Sequence, residues 1–248
     1  MSKIRDNIKN LIDVKKAESQ CRGSYLQINE LLKEYSEIFP EVVKINTKGH
    51  VHYKTQEIEE KILKLIDEDD RVLIIQDYGK ANIGMRACAL GLKNVVFRSL
   101  ENEKASIQKD IHGWDIGQYG IFYQMEDVVI KALDNPIIST LQDKDGYNLG
   151  MRCAILGMEN AVIKALDNPV ASTQITLDKN NIGMFAAFFK MGKATLKAIE
   201  NEDSVKQVNV FNKSMIDYAY EKNLTEAIEK WESMNSDNES KNDVAEIV

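Results

Sequence analysis

Apolar residues recur along the middle of the chain in short groups that follow the period of an α-helix. Between residues 92 and 100 they fall at the 3.6-residue spacing that places them on one helical face. The same pattern returns 33 residues later, and again after a further 33. The matched positions are Leu92, Val96, Phe97 and Leu100, then Met125, Val129, Ile130 and Leu133, then Met158, Val162, Ile163 and Leu166. The pattern predicts a series of similar amphipathic helices.

Each of these helices belongs to a 33-residue repeat. Equally spaced glycines mark the copies: Gly84, Gly117, Gly150 and Gly183. An eroded fifth copy begins at Ser214. Every copy opens with a turn, usually rich in Asp and Gly, and continues with a first helix, a break and a second helix; in the first copy these helices are predicted over 83–90 and 92–100. A helix pair this short cannot bury its apolar face alone, so we expect an all-α chain of stacked copies.

The repeat divides the chain into three predicted regions. Residues 55–68 carry the apolar pattern of 92–100 one repeat earlier, which indicates the second helix of a degenerate first repeat. The repeat region is therefore 55–232, with about five repeats plus that half-repeat. Residues 1–54 hold further helical patterns, over 4–20 and up to Pro40, and are interpreted as a cap; a separate functional module is the alternative. The polar, acidic residues 233–248 are predicted to be a disordered tail.

These features resemble the ankyrin repeat. The third copy reads NLGMRCAILGMENAVIKAL from Asn148, where the ankyrin pattern has a turn, T-P-L-H-x-A-A, two variable residues, G-H and a helix rich in Val and Leu. The resemblance implies an ankyrin-type helix-turn-helix repeat solenoid, and a generic helical-hairpin solenoid is the alternative. Where the family has Leu this chain has Gly, so we expect Met85, Met151 and Met184 to fill the gap.

Composition and charge narrow the possible partners. The net charge is -7 and the pI is about 5.2, which argues against a nucleic-acid partner or a membrane surface. No apolar run approaches the roughly 18 residues of a membrane-spanning helix, and no secretion-signal pattern is present. Three widely spaced cysteines suit a reducing compartment. These features predict a cytoplasmic protein, or alternatively one delivered into a host cell.

Residues with catalytic or metal-binding potential form no recognisable constellation. His50 and His52 have no further ligand at metal-binding spacing and are interpreted as a solvated pair. Cys88 and Cys153 occupy a small-residue position of the first helix, where a buried thiol packs like alanine. The sequence therefore predicts no metal, no cofactor and no enzymatic activity.

The resemblance also indicates where a partner would bind. In ankyrin-like domains the turn tips and the exposed side of the first helix form a concave surface, and this chain places large apolar residues there. The candidate partner-binding residues are Trp114, Phe122, Tyr123, Tyr147, Leu156 and Phe189. The alternative is that the first helix rotates and turns part of this set inward as core. The residues affected would be Leu90, Phe122, Ile155 and Phe188.

Together these observations predict a protein–protein interaction module, acting as an adaptor, inhibitor or effector through the concave repeat face. The alternative is a self-assembling structural protein, in which the same apolar face mediates homo-oligomerisation, for example as a homodimer. A bacterial or phage effector acting on a foreign protein is a third interpretation.

Overall fold

The computed structural model describes the backbone of residues 21–34, 36 and 50–245 and the side chains of 21–34, 36 and 56–235. The described chain is all-α, as predicted, and contains no strand. A short 3-10 helix spans Asp70–Ile74. The helices are α1 (21–34), α2 (His50–Glu68), α3 (Ile83–Leu90), α4 (Lys93–Glu101), α5 (Glu103–Ser106), α6 (Ile116–Phe122), α7 (Glu126–Ala132), α8 (Pro136–Thr140), α9 (Leu149–Ile155), α10 (Glu159–Leu166), α11 (Pro169–Thr173), α12 (Ile182–Phe188), α13 (Gly192–Ala198), α14 (Glu202–Val205), α15 (Met215–Lys222) and α16 (Thr225–Ala245).

The helices repeat in threes. First helices are α3, α6, α9, α12 and α15, and second helices are α4, α7, α10, α13 and α16. The first helix of the first copy has the predicted bounds, Ile83–Leu90. The short third helices, α5, α8, α11 and α14, were not predicted. Their N-caps are asparagines at the same position of successive copies, each accepting a backbone N–H of its own helix: Asn102, Asn135, Asn168 and Asn201.

The chain forms two compact units, with unit 1 ending at Ala132 and unit 2 beginning at Leu133. In unit 1, α3 packs against α4 and α6, α4 packs against α7, and α2 contacts α4. In unit 2, α9 and α12 pack against their own second helices and against each other, and α15 packs against α12. Each unit is thus built from first helices that contact first helices and second helices that contact second helices.

Buried asparagines start three of the first helices. Asn82, Asn148 and Asn181 are at most 1% exposed, and the side-chain oxygen of each accepts the backbone N–H three residues on. The amide nitrogen of Asn148 donates to the Ala171 carbonyl and to Oε1 of Gln174, both at 2.9 Å. Asn82 and Asn181 make the equivalent bonds 23 and 26 residues further on. These bonds fix the start of each first helix against the end of its own repeat.

Glycines in the first helices permit a close approach to the neighbouring helices. A Cβ on Gly150 would lie 2.6 Å from Cβ of Ala165 in the second helix and 2.8 Å from Cδ1 of Ile182 in the next first helix. Gly84 would meet Ser99 and Ile116 at similar distances. The place of the expected leucine is therefore filled by neighbouring helices. Met85, Met151 and Met184 are buried as expected, but there is no gap at the glycine for them to fill.

The second helices carry the predicted core. Leu133 and Leu166 are 6% and 8% exposed, which confirms the predicted register of their apolar face. Val96, Val129 and Val162, one turn earlier, are completely buried. Three of the four predicted apolar positions in each of these helices are thus buried, whereas Phe97, Ile130 and Ile163 are half-buried and the unpredicted Val95, Val128 and Ala161 are fully buried.

At its ends the chain lies partly outside the described residues. Residues 1–20, 35 and 37–49 fall there, with the predicted helix 4–20 and much of the predicted cap. In the described part of that region, α1 buries Ile28 and Leu32, and Oδ1 of Asn29 accepts a hydrogen bond from Arg86 of α3. At the other end, α16 continues to Ala245, so residues 233–245 are helical where a disordered tail was predicted. That segment contains neither Gly nor Pro, so nothing in it breaks a helix.

Candidate functional site

The candidate residues lie on the turns and at the ends of the first helices, and their side chains reach solvent. Phe122 is 61% exposed, Leu156 53%, and Phe189 and Tyr123 40% each. Trp114 is 37% exposed and Tyr147 is half-buried. The structure places Trp114, Phe122 and Tyr123 in unit 1, and Tyr147, Leu156 and Phe189 in unit 2.

The alternative rotation of the first helix, which would have made part of this set core, does not occur. Phe122, Ile155 and Phe188 are 61%, 37% and 44% exposed, and Leu90 is half-buried. The N-cap bonds and the close packing at the glycines hold the opposite helix face inward. The large side chains at the helix ends are consequently surface residues.

In unit 1, four aromatic residues form a connected group, named here the unit-1 cluster: Trp114, Tyr119, Phe122 and Tyr123. The Trp114 ring lies 5.8 Å from Tyr119 and 5.6 Å from Phe122, measured between centroids. Phe122 and Tyr123 meet edge to face at 5.0 Å. Such ring contacts order the side chains before any ligand arrives, which lowers the entropy cost of binding.

A carboxylate holds the unit-1 cluster to its turn. Asp110 Oδ1 accepts the backbone N–H groups of His112 and Trp114, both at 2.8 Å. Its other oxygen accepts the Tyr119 hydroxyl at 2.9 Å. Burial, together with this hydrogen bond and the charge of Asp110, raises the pKa of Tyr119, so the phenol stays protonated. Asp110 thereby fixes the position of Trp114 relative to Tyr119.

In unit 2, five aromatic residues form the unit-2 cluster: Tyr147, Phe185, Phe188, Phe189 and Tyr218. Phe185 lies 5.6 Å from Tyr147 and stacks on Phe189 at 6.5 Å. Phe188 meets Phe189 at 5.1 Å and Tyr218 at 5.5 Å, both edge to face. Tyr147 and Phe189 are thus brought together through Phe185, whereas Leu156 has no ring to add to the cluster and is an exposed aliphatic residue.

Cations lie over three rings of the unit-2 cluster. The Arg152 guanidinium is 4.4 Å from the Tyr147 ring centroid and Lys222 Nζ is 4.4 Å from that of Phe188. Lys213 Nζ lies 5.4 Å from the ring of Tyr218. In the part of the chain that the structure describes, all contacts of this kind involve unit-2 rings. The rings attract these cations through their electron-rich faces.

Arg152 is also bound to the turn of its own repeat, where it contacts Asp143 Oδ2 through two nitrogens. Burial is the largest single influence on the Asp143 carboxyl and by itself raises its pKa. Hydrogen bonds from Arg152 and from the backbone N–H groups of Tyr147 and Asp145 outweigh burial, so the pKa of Asp143 is lowered. This carboxylate is therefore charged at neutral pH and offsets the charge of Arg152.

One position of the first helix belongs to the site but was not predicted from the sequence. It holds Tyr119, Arg152, Phe185 and Tyr218 in successive copies. Three of them form a hydrogen bond with the first residue of their own turn, which is Asp110, Asp143 or Asn209. Phe185 is the exception and contacts Tyr147 through its ring. The 33-residue register alone could have identified this position. Its side chains contact the turn residues beside the candidate residues.

A second exposed apolar set lies on the turns of unit 2: Ile175, Leu177, Val208, Val210 and Phe211. Alternation of apolar and polar residues usually turns the apolar side chains inward. Here Thr176 and Asn209 are buried at 5% and 4% exposure, while Leu177 and Phe211 are 74% and 71% exposed. The buried side chains accept backbone N–H groups of their own turns, which reverses the usual arrangement. The turns thus add apolar surface that the sequence pattern did not indicate.

Among the described residues, the candidate site contains no metal-binding group and no reactive thiol. No group of three or more His, Cys, Asp or Glu side chains there could hold a metal ion. The His50 and His52 side chains lie outside the described set. Cys88 and Cys153 are buried as expected, and burial raises the pKa of Cys88 to about 12, which leaves its thiol unreactive at neutral pH. No helix within that set is both long and apolar enough to cross a membrane.

Comparison with known proteins identifies a structural relative. No protein-family model matches the chain, and no curated protein matches it. The chain is similar to one chain of a solved complex between a predatory endopeptidase of Bdellovibrio bacteriovorus and an immunity protein. The TM-score is 0.50 at 20% identity, and the match covers 69% of this chain and 91% of that chain. At this identity the likeness concerns the fold alone.

Proposed function

We propose that the chain is a divergent ankyrin-type repeat protein that binds another protein through the turns and first-helix ends of its repeats, and that it has no catalytic activity of its own. The ankyrin assignment is supported by the N-caps of the first helices, which recur at the same position of every copy. They are Asn82, Asp115, Asn148, Asn181 and Ser214. It is also supported by the pairing of a first and a second helix in every copy.

One observation carries the binding role: aromatic side chains at the ends of the first helices are ordered by ring contacts yet exposed to solvent. Phe122 is 61% exposed while it contacts Trp114 and Tyr123, and Phe189 is 40% exposed while it contacts Phe185 and Phe188. Ordered aromatic side chains on a surface are typical anchors of protein interfaces. The complex in which the structural relative was solved contains two proteins, which agrees with this role.

The test is a double substitution, Trp114→Ala with Tyr147→Ala, which removes one ring from each cluster. Proteins captured from the native extract by the wild-type chain are identified, and the affinity for the purified partner is measured by calorimetry. We expect the double variant to bind more weakly by about 2 kcal/mol or more, because aromatic anchors dominate interface energies. Its melting temperature should hardly change, since both residues lie on turns.

A matched control is Ile137→Ala with Val170→Ala. These side chains are 51% and 57% exposed and occupy the same position of two third helices, which contribute no residue to either cluster. If the control weakens binding as much as the aromatic variant, the effect is non-specific and the proposed surface is wrong. Sedimentation of the chain alone tests the alternative of self-assembly. A self-assembling protein would form an oligomer, and the aromatic double variant would then remain monomeric.

A further inference from the structure

The unit-2 cluster carries an excess of positive charge on an acidic protein. Two of its cations are balanced within the chain, Arg152 by Asp143 and Lys213 by Glu221. Lys222, over the Phe188 ring, forms no ion pair with any carboxylate among the residues that the structure describes. The same is true of Lys190, which directly follows Phe189 and is exposed. One uncompensated cation thus lies over an exposed ring and a second directly follows an exposed ring residue, in a chain whose net charge is -7.

The backbone at Lys190 gives no reason for a lysine. This residue ends the first helix in the left-handed conformation, with φ +62°. The corresponding residues of two other copies, Gly91 and Gly157, have the same conformation and are glycines, for which it carries no steric cost. Lysine therefore stands where glycine would be easier, and what it adds is an exposed charge on the residue that directly follows Phe189.

We infer that the unit-2 cluster binds an acidic segment of a partner protein, with an apolar or aromatic side chain against Phe188 and Phe189 and carboxylates beside Lys190 and Lys222. The inference rests on the proposed function and adds the chemistry of the partner. Carboxylates on the partner would complete the two uncompensated charges, and opposite charge at an interface accelerates association and selects partners. Rings beside cations also suit single-stranded nucleic acid, but the net charge of the chain opposes a polyanion.

The probe is a random peptide display library selected against the full-length chain. We expect the enriched peptides to combine Asp or Glu with aromatic or large apolar residues, and the affinity of a synthetic copy to fall as the salt concentration rises. Lys190→Gln with Lys222→Gln should weaken that affinity about tenfold, and Lys190→Glu with Lys222→Glu should weaken it further. The control, Lys193→Gln with Lys206→Gln, removes the same charge elsewhere in unit 2 and should leave the affinity unchanged.

The outcomes separate the two ideas. Enrichment of basic or uncharged peptides that still compete with the captured partner would overturn the inference and leave the proposed function standing. An acidic peptide whose affinity is unchanged by the Lys190 and Lys222 substitutions would also overturn the inference and leave the proposed function standing. Tighter binding of a single-stranded oligonucleotide than of any peptide would overturn the acidic-segment inference. If neither peptides nor captured proteins respond to loss of the cluster rings, including Phe189→Ala, the proposed function itself fails.

Discussion

The two units present aromatic clusters at the same repeat position, but among the described residues only unit 2 places cations over the rings. In unit 1 the ring of Tyr119 is tied to the carboxylate of Asp110, and the first helix is followed by the neutral Gln124. In unit 2 the rings lie under Arg152, Lys213 and Lys222. The backbone is the same in both, since Gln124 and Lys190 have φ +55° and +62°.

This contrast shows that the repeat separates structure from surface chemistry. Buried caps, glycines and apolar residues keep the helices in register, while the turn and the helix end accept very different side chains. One copy also differs at a buried position, because Asp115 stands where Asn82, Asn148 and Asn181 stand in three other copies. Substitutions at shared and at distinct positions therefore test separately what the two units have in common and where they differ.

The largest effect is expected in the shared core. Leu100 of unit 1 and Leu166 of unit 2 occupy the same position of the second helix and are 9% and 8% exposed. Leu→Ala at either site should reduce the free energy of unfolding by about 2–5 kcal/mol, because burial is lost and a cavity remains. Denaturant unfolding of the two variants measures the loss of free energy at each site. A loss at one site only would show that the two units do not share one core register.

A smaller effect is expected at the helix ends beside the clusters. Gln124→Gly in unit 1 and Lys190→Gly in unit 2 relieve a left-handed conformation and should each stabilise the protein, by about 1 kcal/mol or less. Thermal unfolding measures the change, and the reverse substitution Gly157→Lys is the control, since it should destabilise by a comparable amount. A destabilised Lys190→Gly would mean that the lysine side chain contributes to folding, and would weaken the case for its role in binding.

The smallest effect concerns pH and distinguishes the buried cap Asp115 from the asparagine caps of other copies. Burial raises the pKa of the Asp115 carboxyl, even though backbone N–H groups of Gln118 and Gly117 favour its charged form. Asp115 therefore contributes stability below the ordinary carboxyl pKa, and that contribution is lost as pH rises through the raised value. Asp115→Asn should accordingly match the wild type in acid and exceed its melting temperature at neutral pH.

The control is Asn148→Asp in unit 2, which should introduce the opposite dependence. It also removes the donor to Ala171 and Gln174, so it should lower stability most at neutral pH. A melting-temperature difference between Asp115→Asn and the wild type that does not change with pH would contradict a titrating carboxyl at this site.

Much of the fold was predictable because the repeat shows every local signal several times. The glycine spacing placed the first helices, and the apolar period of the second helices identified Leu133 and Leu166 as buried. The third helices were missed, although their asparagine caps share the 33-residue spacing, because four or five residues give no apolar period. Exposure of Leu177 and Phe211 was also missed, since the alternating pattern alone favours burial of the apolar side chains.

The all-α class, the period and the candidate aromatic positions could be predicted from the sequence, because they depend on local spacing that is the same in every copy. The direction in which the first helix faces depends instead on packing between residues far apart in the chain, since Gly150 lies against Ala165 and Ile182. That packing leaves Phe122 and Phe188 at the surface. The tertiary structure likewise brought Lys222 over the ring of Phe188 in the preceding copy, because stacking places adjacent repeats side by side.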